Sequence, residues 1–169
     1  MRFSCVIGSA KSTNAREKVQ RAEDSMSDDS IIRKILKRDR VIAVVGLSDK
    51  PHRPSHGVAE TMQQAGYRIV PVNPALDGRH VLGERCYASL PAAAAALARD
   101  GIAIGMVDVF RKSSEVSAVA DDAIAIGAQS LWLQLGVIDG AAAARARAAG
   151  LDVVMDRCVL IEHRRLGVN

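Results

Sequence analysis

Aromatic residues are scarce in this chain of 169 residues, at only 3%. Proteins that hold single-stranded nucleic acid stack its bases on aromatic side chains, so the composition argues against a nucleic-acid partner. The net charge of +4 is mild, and part of it lies in the basic segment 31–40, which we interpret as a solvated helix face. A phosphorylated small molecule suits this charge better.

Cysteine is also rare, and Cys5, Cys86 and Cys158 are widely spaced without a CxxC pair. This spacing argues against a disulfide framework or a zinc site and favours a reducing, cytoplasmic compartment. No apolar run approaches the roughly 18 residues that cross a bilayer, so we expect no membrane partner.

The polar segment at the start of the chain predicts a flexible extension over residues 1–28, followed by a single domain over residues 29–169. The segment lacks the apolar core of a secretory signal and is too acidic for a typical transit peptide. Because a helix-start signal at residues 27–30 follows Met26, that methionine is a candidate biological start. An intact mass that begins at Met1 or Arg2 would exclude this hypothesis.

From Val41 onward, short apolar runs alternate with helical patterns. The runs predict strands at 41–45, 67–72, 104–110, 130–135 and 151–155, and helices follow the first four of them. Residues 75–87 are expected to form a loop, and residues 167–169 a frayed tail. Strict alternation predicts a single α/β domain, Rossmann-like and doubly wound, with a five-stranded, mostly parallel sheet and helices on both faces.

The segment from Val41 to Gly57 is the candidate ligand loop. A buried strand runs into Gly46, which permits a sharp turn, and then into the start of a helix. Four side chains that can donate to phosphate oxygens follow where that helix presents free N–H groups: Ser48, Lys50, Arg53 and Ser55. A purely structural turn is the alternative, since every parallel α/β protein needs such turns.

Parallel α/β folds bind ligands beyond the carboxyl ends of their strands. The residues just past the other strand ends are Asn73 and Pro74, then Phe110 and Arg111, then Gln134, Gly136 and Val137, and finally Asp156, Arg157 and Cys158. We expect them to share one crevice with the loop after Gly46.

An ordinary NAD site is disfavoured by two features of this edge. Ser48 occupies the second glycine position of the G-x-G-x-x-G fingerprint, and Gly57 lies too far along for its third glycine. The second strand ends at Asn73 rather than at the acid that would accept from a ribose hydroxyl. A ligand with a diphosphate remains compatible.

Six phrases along the chain carry a resemblance to a known family. They are AVVGLS (43–48), KPHRPS (50–55), VPVNP (70–74), MVDVFR (106–111), LWLQLGV (131–137) and MDRC (155–158). In this order they resemble the stand-alone coenzyme A-binding domain proteins, which are similar to the N-terminal domain of the succinyl-coenzyme A synthetase alpha subunit. The resemblance covers about residues 31–166.

The resemblance implies coenzyme A, or an acyl-coenzyme A, as the ligand. By position in the family pattern, Gly46, Ser48, Arg53 and Ser55 would hold the diphosphate, and Asn73 and Pro74 would lie along the nucleotide. Phe110 and Arg111 would approach the adenosine end, and Gln134, Gly136 and Val137 would line the remaining wall. The 3′-phosphate partner stays open among Lys50, Arg53, Arg79 and Arg111.

Other residues with chemical potential have plainer interpretations. His52 and His56 lack a nearby third metal ligand, so we expect solvated loop histidines. Asp108 is expected to be a hydrogen-bonded strand residue, Trp132 to pack in the core and Cys158 to be a buried apolar cysteine rather than a reactive thiol. No spacing supports a Ser-His-Asp or Cys-His site.

Two functional classes follow. The first is non-catalytic binding of coenzyme A or an acyl-coenzyme A, as a carrier, a sensor or a partner subunit, because the synthetase's catalytic phosphohistidine lies in domains beyond this one. The alternative is a small NAD(P)-dependent oxidoreductase or a coenzyme A-handling transferase whose site is completed by oligomerisation. A partner protein and a homo-oligomer both stay open.

Overall fold

Short runs of buried aliphatic residues form the strands of the protein, which a computed structural model describes from residue 28 to residue 168. The main sheet contains five parallel strands: β1 (Val41–Val45), β2 (Arg68–Val72), β5 (Met106–Val109), β6 (Ser130–Leu133) and β7 (Asp152–Val154). A separate antiparallel hairpin joins β3 (His80–Val81) to β4 (Glu84–Arg85). The hairpin corrects the prediction of a plain loop over residues 75–87, since two-residue strands are too short to give an apolar pattern.

The strand order in the main sheet is β2-β1-β5-β6-β7. β1 is therefore an interior strand, with Ile42 opposite Ile69 of β2 on one side and opposite Met106 of β5 on the other. The chain runs outward from β1 to β2 and then returns to β5, so the order reverses beside β1. The carboxyl ends of β1 and β5 flank this switch point, where such folds bind their ligands.

Six helices cover the two faces of the sheet in the described part of the chain. They are α1 (28–38), α2 (Pro54–Gln64), α3 (Leu90–Ala98), α4 (Val116–Ala125), α5 (Gly140–Ala148) and α6 (Val159–Leu166). Side chains of α3, α4 and α5 pack with Ala43 and Val45 on one face, whereas those of α1, α2 and α6 pack with Ile42 and Val44 on the other. The predicted doubly wound α/β domain is confirmed. No helix within residues 28–168 is long and apolar enough to cross a membrane.

The chain after β7 differs from the sequence prediction. Helix α6 was not predicted, because its N-cap is Cys158, whose side chain provides no capping bond that would mark a helix start. Gly167 ends the helix in the left-handed conformation, and Val168 is only 2% exposed. The prediction of a frayed tail is therefore wrong for Val168, which packs in the core. The predicted extension, including Cys5 and Met26, lies outside the described residues except for residue 28.

Candidate functional site

Gly46 directly follows the last residue of β1, and residues 110–111 pass close to it. Its φ of +91° belongs to the left-handed region, and a Cβ atom built on it would lie 2.5 Å from the carbonyl oxygen of Phe110. Its N–H donates to the Val72 carbonyl at 2.8 Å, and the Phe110 N–H donates to the Val45 carbonyl at 2.9 Å. Glycine is therefore required because the ends of β1, β2 and β5 join here, and not only because the chain turns.

The loop after Gly46 is held by its own hydrogen bonds. The Ser48 N–H donates to the Ser55 hydroxyl oxygen at 3.1 Å, and the Lys50 N–H donates to the Ser48 hydroxyl oxygen at 3.2 Å. Each serine hydroxyl thus accepts one bond and retains its own proton as a donor. These two bonds fix the path of the loop.

The two loop histidines have different surroundings. His52 is exposed, as predicted, but His56 is half-buried, and its Nδ1 lies 3.0 Å from the Ser48 carbonyl oxygen. Because that oxygen can only accept, the ring proton belongs on Nδ1. His56 therefore fixes the loop, a role that depends on a contact across the turn and has no sequence signal. Residues 28–168 contain no group of three or more His, Cys, Asp or Glu side chains placed to hold a metal ion.

The loop leads into the N-terminus of α2, where Arg53 is the N-cap residue. No side chain of the described residues caps this end, and residues 54–57 contain no acid, so the positive end of the helix dipole is not compensated. Lys50 and Arg53 are exposed beside it, whereas Arg79 forms a 3.3 Å ion pair with Asp49. This helix end favours an anion.

Asn73 follows β2 and braces the loop from the side. Its Nδ2 donates to the Leu47 carbonyl at 3.0 Å, and its Oδ1 accepts from the Ala75 N–H at 3.1 Å. The second bond caps a single 3₁₀ turn, Pro74–Leu76. The amide of Asn73 is therefore engaged within the fold, which its position at a strand end did not indicate.

A cavity of about 450 Å³ lies on the α3 and α4 face of the sheet, and we name it the α4 cavity. Its lining residues are Val45, Val72, Pro74, Ala88, Ser89, Leu90, Arg111, Ser114, Glu115, Ala118, Val119 and Asp122. It combines an apolar floor with charged and hydroxyl groups. Arg111 is only loosely paired, since its Nη1 lies 3.8 Å from Glu115. The guanidinium can therefore turn toward a ligand without breaking a short ion pair.

A second cavity of about 410 Å³ lies on the opposite face, and we name it the α2 cavity. Its lining residues are Pro54, Val58, Phe110, Gln134, Leu135, Val137 and Cys158. Cys158 is partly exposed in this wall and is not the buried cysteine that the sequence predicted. The structure thus divides the predicted crevice in two: Pro74 and Arg111 belong to one cavity, and Phe110, Gln134 and Val137 to the other.

A buried pair of polar side chains lies behind the α2 cavity. Gln134 is 4% exposed, and its Nε2 donates to Asp108 Oδ1 at 2.8 Å. Burial raises the pKa of Asp108 to about 7, although the hydrogen bonds from Gln134 and from the Val109 backbone oppose the rise. Asp108 is a hydrogen-bonded strand residue, as predicted, and it orients the amide of Gln134.

The remaining edge of the site is fixed by the end of β7. The Gly136 N–H donates to Asp156 Oδ1 at 2.7 Å, which ties the loop after β6 to the chain after β7. Trp132 is fully buried, as predicted for a core residue, and its Nε1 donates to the Arg157 carbonyl at 2.7 Å. These two bonds hold the wall that carries Gln134 and Val137.

A family model described as a CoA binding domain matches residues 40–164. The chain belongs to this family. The match to the CoA-binding domain begins next to β1 and includes every residue that the sequence predicts for the site. The resemblance seen in the six sequence phrases is therefore confirmed.

A curated relative and solved structures are similar to this chain over most of its length. The protein is 40% identical over 132 residues to YneT of Bacillus subtilis (strain 168). This match covers 78% of this chain and 91% of YneT. The hypothetical protein from Pyrococcus horikoshii OT3 is 36% identical, with a TM-score of 0.72 over 82% of this chain and 91% of that one. The cell-free ID.343 protein from Thermus thermophilus is 33% identical, with a TM-score of 0.71 over 82% and 98%.

Proposed function

We propose that the protein binds coenzyme A or an acyl-coenzyme A without catalysing a reaction, and that it acts as a carrier, a sensor or a partner subunit of a separate chain. The observation that carries this proposal is the arrangement of two cavities on opposite faces of the sheet at the switch point, both reaching the crossing of Gly46 with residues 110–111. A ligand with a central diphosphate and two different ends suits this arrangement.

The diphosphate is assigned to the loop that contains Gly46, Ser48, Lys50, Arg53 and Ser55. The uncapped N-terminus of α2 supplies an electrostatic attraction for the anion, and the two exposed cations supply charge-assisted hydrogen bonds. Since the loop is held by internal bonds, little order has to be imposed when the ligand binds.

The two ends of the ligand are assigned to different cavities. The adenosine end takes the α4 cavity, because Arg111 and the hydroxyl groups there suit a ribose phosphate, and Asn73 and Pro74 lie beside it. Arg111 is then the partner of the 3′-phosphate. The pantetheine end takes the α2 cavity, whose wall is formed by Phe110, Gln134 and Val137 and supported by Gly136.

A binding role is favoured over acid–base catalysis by the surroundings of Asp108. This carboxyl group is enclosed in β5 and hydrogen-bonded to the amide of Gln134, which does not titrate. A general acid or base must reach the proton that it transfers. Asp108 instead supports a side chain of the cavity wall.

Calorimetric titration with coenzyme A, NAD, NADP and ATP tests the proposal. We expect coenzyme A to bind most tightly. At about 100 times its Kd it should raise the free energy of unfolding by roughly 2.7 kcal/mol. Binding of NADP alone would contradict the proposal and favour an oxidoreductase.

The loop assignment is tested by Arg53→Ala. We expect affinity for coenzyme A to fall at least about tenfold with little change in stability, because a hydrogen bond to a charged group contributes about 1.5–3 kcal/mol. Arg68→Ala is the matched control, since Arg68 is an exposed arginine at the amino end of β2, away from the site. Equal affinities of the two variants would remove Arg53 from the site.

A further inference from the structure

The α2 cavity differs from the α4 cavity in its chemistry. Among the described residues that line the α2 cavity, none carries a charge, whereas Arg111, Glu115 and Asp122 line the α4 cavity. Burial of apolar ligand surface against an apolar wall is favourable. An ion placed against the same wall would lose its hydration, which is unfavourable. The two cavities therefore suit ligand parts of opposite character.

The α2 cavity lies next to one end of the proposed diphosphate site. Pro54, the first residue of α2, lines the cavity, and Arg53 precedes it at the N-cap. A chain that leaves a phosphate at this helix end meets Val58 one turn further along. The cavity volume of about 410 Å³ lies within the range of about 300–1,000 Å³ that is usual for small-molecule sites.

One polar group interrupts the apolar lining. Among the described lining residues only Gln134 has a side-chain amide, and Asp108 holds that amide from behind at 2.8 Å. A fixed amide can exchange hydrogen bonds with an amide of the pantetheine arm without adding a charge. The rest of the lining is left for hydrocarbon.

We propose that the α2 cavity binds the acyl end of an acyl-coenzyme A and selects uncharged, apolar acyl groups over acidic ones. This proposal rests on the coenzyme A function proposed above and adds the class of acyl group to it. Leu135 is 59% exposed at the cavity wall, so it meets the distal part of the acyl chain.

Calorimetric titration with coenzyme A and with its acetyl, butyryl and succinyl thioesters measures this selection. Each methylene that enters the cavity should tighten binding about three- to fourfold, so butyryl-coenzyme A should bind about tenfold more tightly than acetyl-coenzyme A. Succinyl-coenzyme A has a similar length but ends in a carboxylate, and we expect it to bind at least tenfold more weakly than butyryl-coenzyme A.

Leu135→Lys should change this selection without disturbing the core, because Leu135 is largely exposed. An ammonium at the wall should lower the preference for butyryl over succinyl by about three- to fivefold. Ile161→Lys is the matched control: Ile161 is 54% exposed and does not line the cavity, so the preference should stay within about twofold of the original.

The outcomes separate this proposal from the one on which it rests. Equal affinities for coenzyme A and all three thioesters would overturn the acyl cavity and leave coenzyme A binding intact. Tighter binding of succinyl- than of butyryl-coenzyme A, or equal responses of Leu135→Lys and Ile161→Lys, would also overturn it. Failure of all four ligands to bind would overturn both proposals.

Discussion

Asp108 is enclosed at the centre of the sheet, opposite Val44 of β1 and Trp132 of β6. Asp108 is 1% exposed, so burial makes the ionised form costly and raises the pKa from the ordinary 3.8 to about 7. In the unfolded chain the group ionises near its ordinary pKa, while in the folded chain it stays protonated up to about pH 7. The stability that this group contributes is therefore lost as the pH rises from about 4 to about 7.

The Asp108→Asn variant should remove this pH dependence. Asparagine keeps an oxygen that accepts from Gln134 and has no proton to lose. We expect the variant to gain stability relative to the original protein between pH 5 and pH 8, by on the order of 2–3 kcal/mol. Urea unfolding at the two pH values measures the difference, and a stability gap that is the same at both would show that Asp108 does not titrate in this range.

The β1–α2 loop is the element on which the site depends, and its geometry comes from the strands around it. Gly46 accommodates the carbonyl of Phe110, while Ser55 and His56 each hydrogen-bond to Ser48 across the turn. The loop is thus part of the packed fold.

Gly46→Ala should therefore destabilise the protein strongly. The new Cβ would meet the Phe110 carbonyl oxygen at 2.5 Å, in a backbone conformation that disfavours any residue other than glycine. We expect a loss of roughly 3 kcal/mol or more in urea unfolding, a value typical of severe packing defects.

Gly57→Ala provides the comparison from the same segment. Gly57 lies within α2, and a Cβ there would meet nothing within 4 Å. Alanine should stabilise the protein by about 0.5–1 kcal/mol through its helix propensity. Equal effects of the two substitutions would contradict the role given to Gly46.

Some elements could be predicted from the sequence, and others could not, for physical reasons. Buried parallel strands are continuous apolar runs, which is why β1 and its neighbours were found. The start of α6 depends on packing rather than on a capping side chain, and the β3–β4 hairpin is too short to show a period. Predicted strand bounds are too long because residues such as Leu135 continue the apolar run while the backbone already turns, with the Val137 N–H bonded to the Gln134 carbonyl.

In the whole molecule, the candidate site lies where the strand order reverses, with one cavity on each face of the sheet. The sequence predicted which residues follow the strand ends, since parallel strands bring their carboxyl ends to one edge. It could not predict that Phe110 and Arg111, adjacent in the chain, line different cavities, because this division depends on which helices cover each face. The engaged amide of Asn73 is hidden for a different reason, because its bond to the Leu47 carbonyl joins two residues that lie far apart in the chain.

A crystal structure of the protein with bound coenzyme A tests the central claim most directly. We predict a diphosphate within hydrogen-bond distance of the loop from Ser48 to Ser55, adenosine in the α4 cavity beside Arg111, and the pantetheine arm in the α2 cavity beside Gln134. Coenzyme A bound away from the Gly46 loop, or with both of its ends in one cavity, would contradict the account.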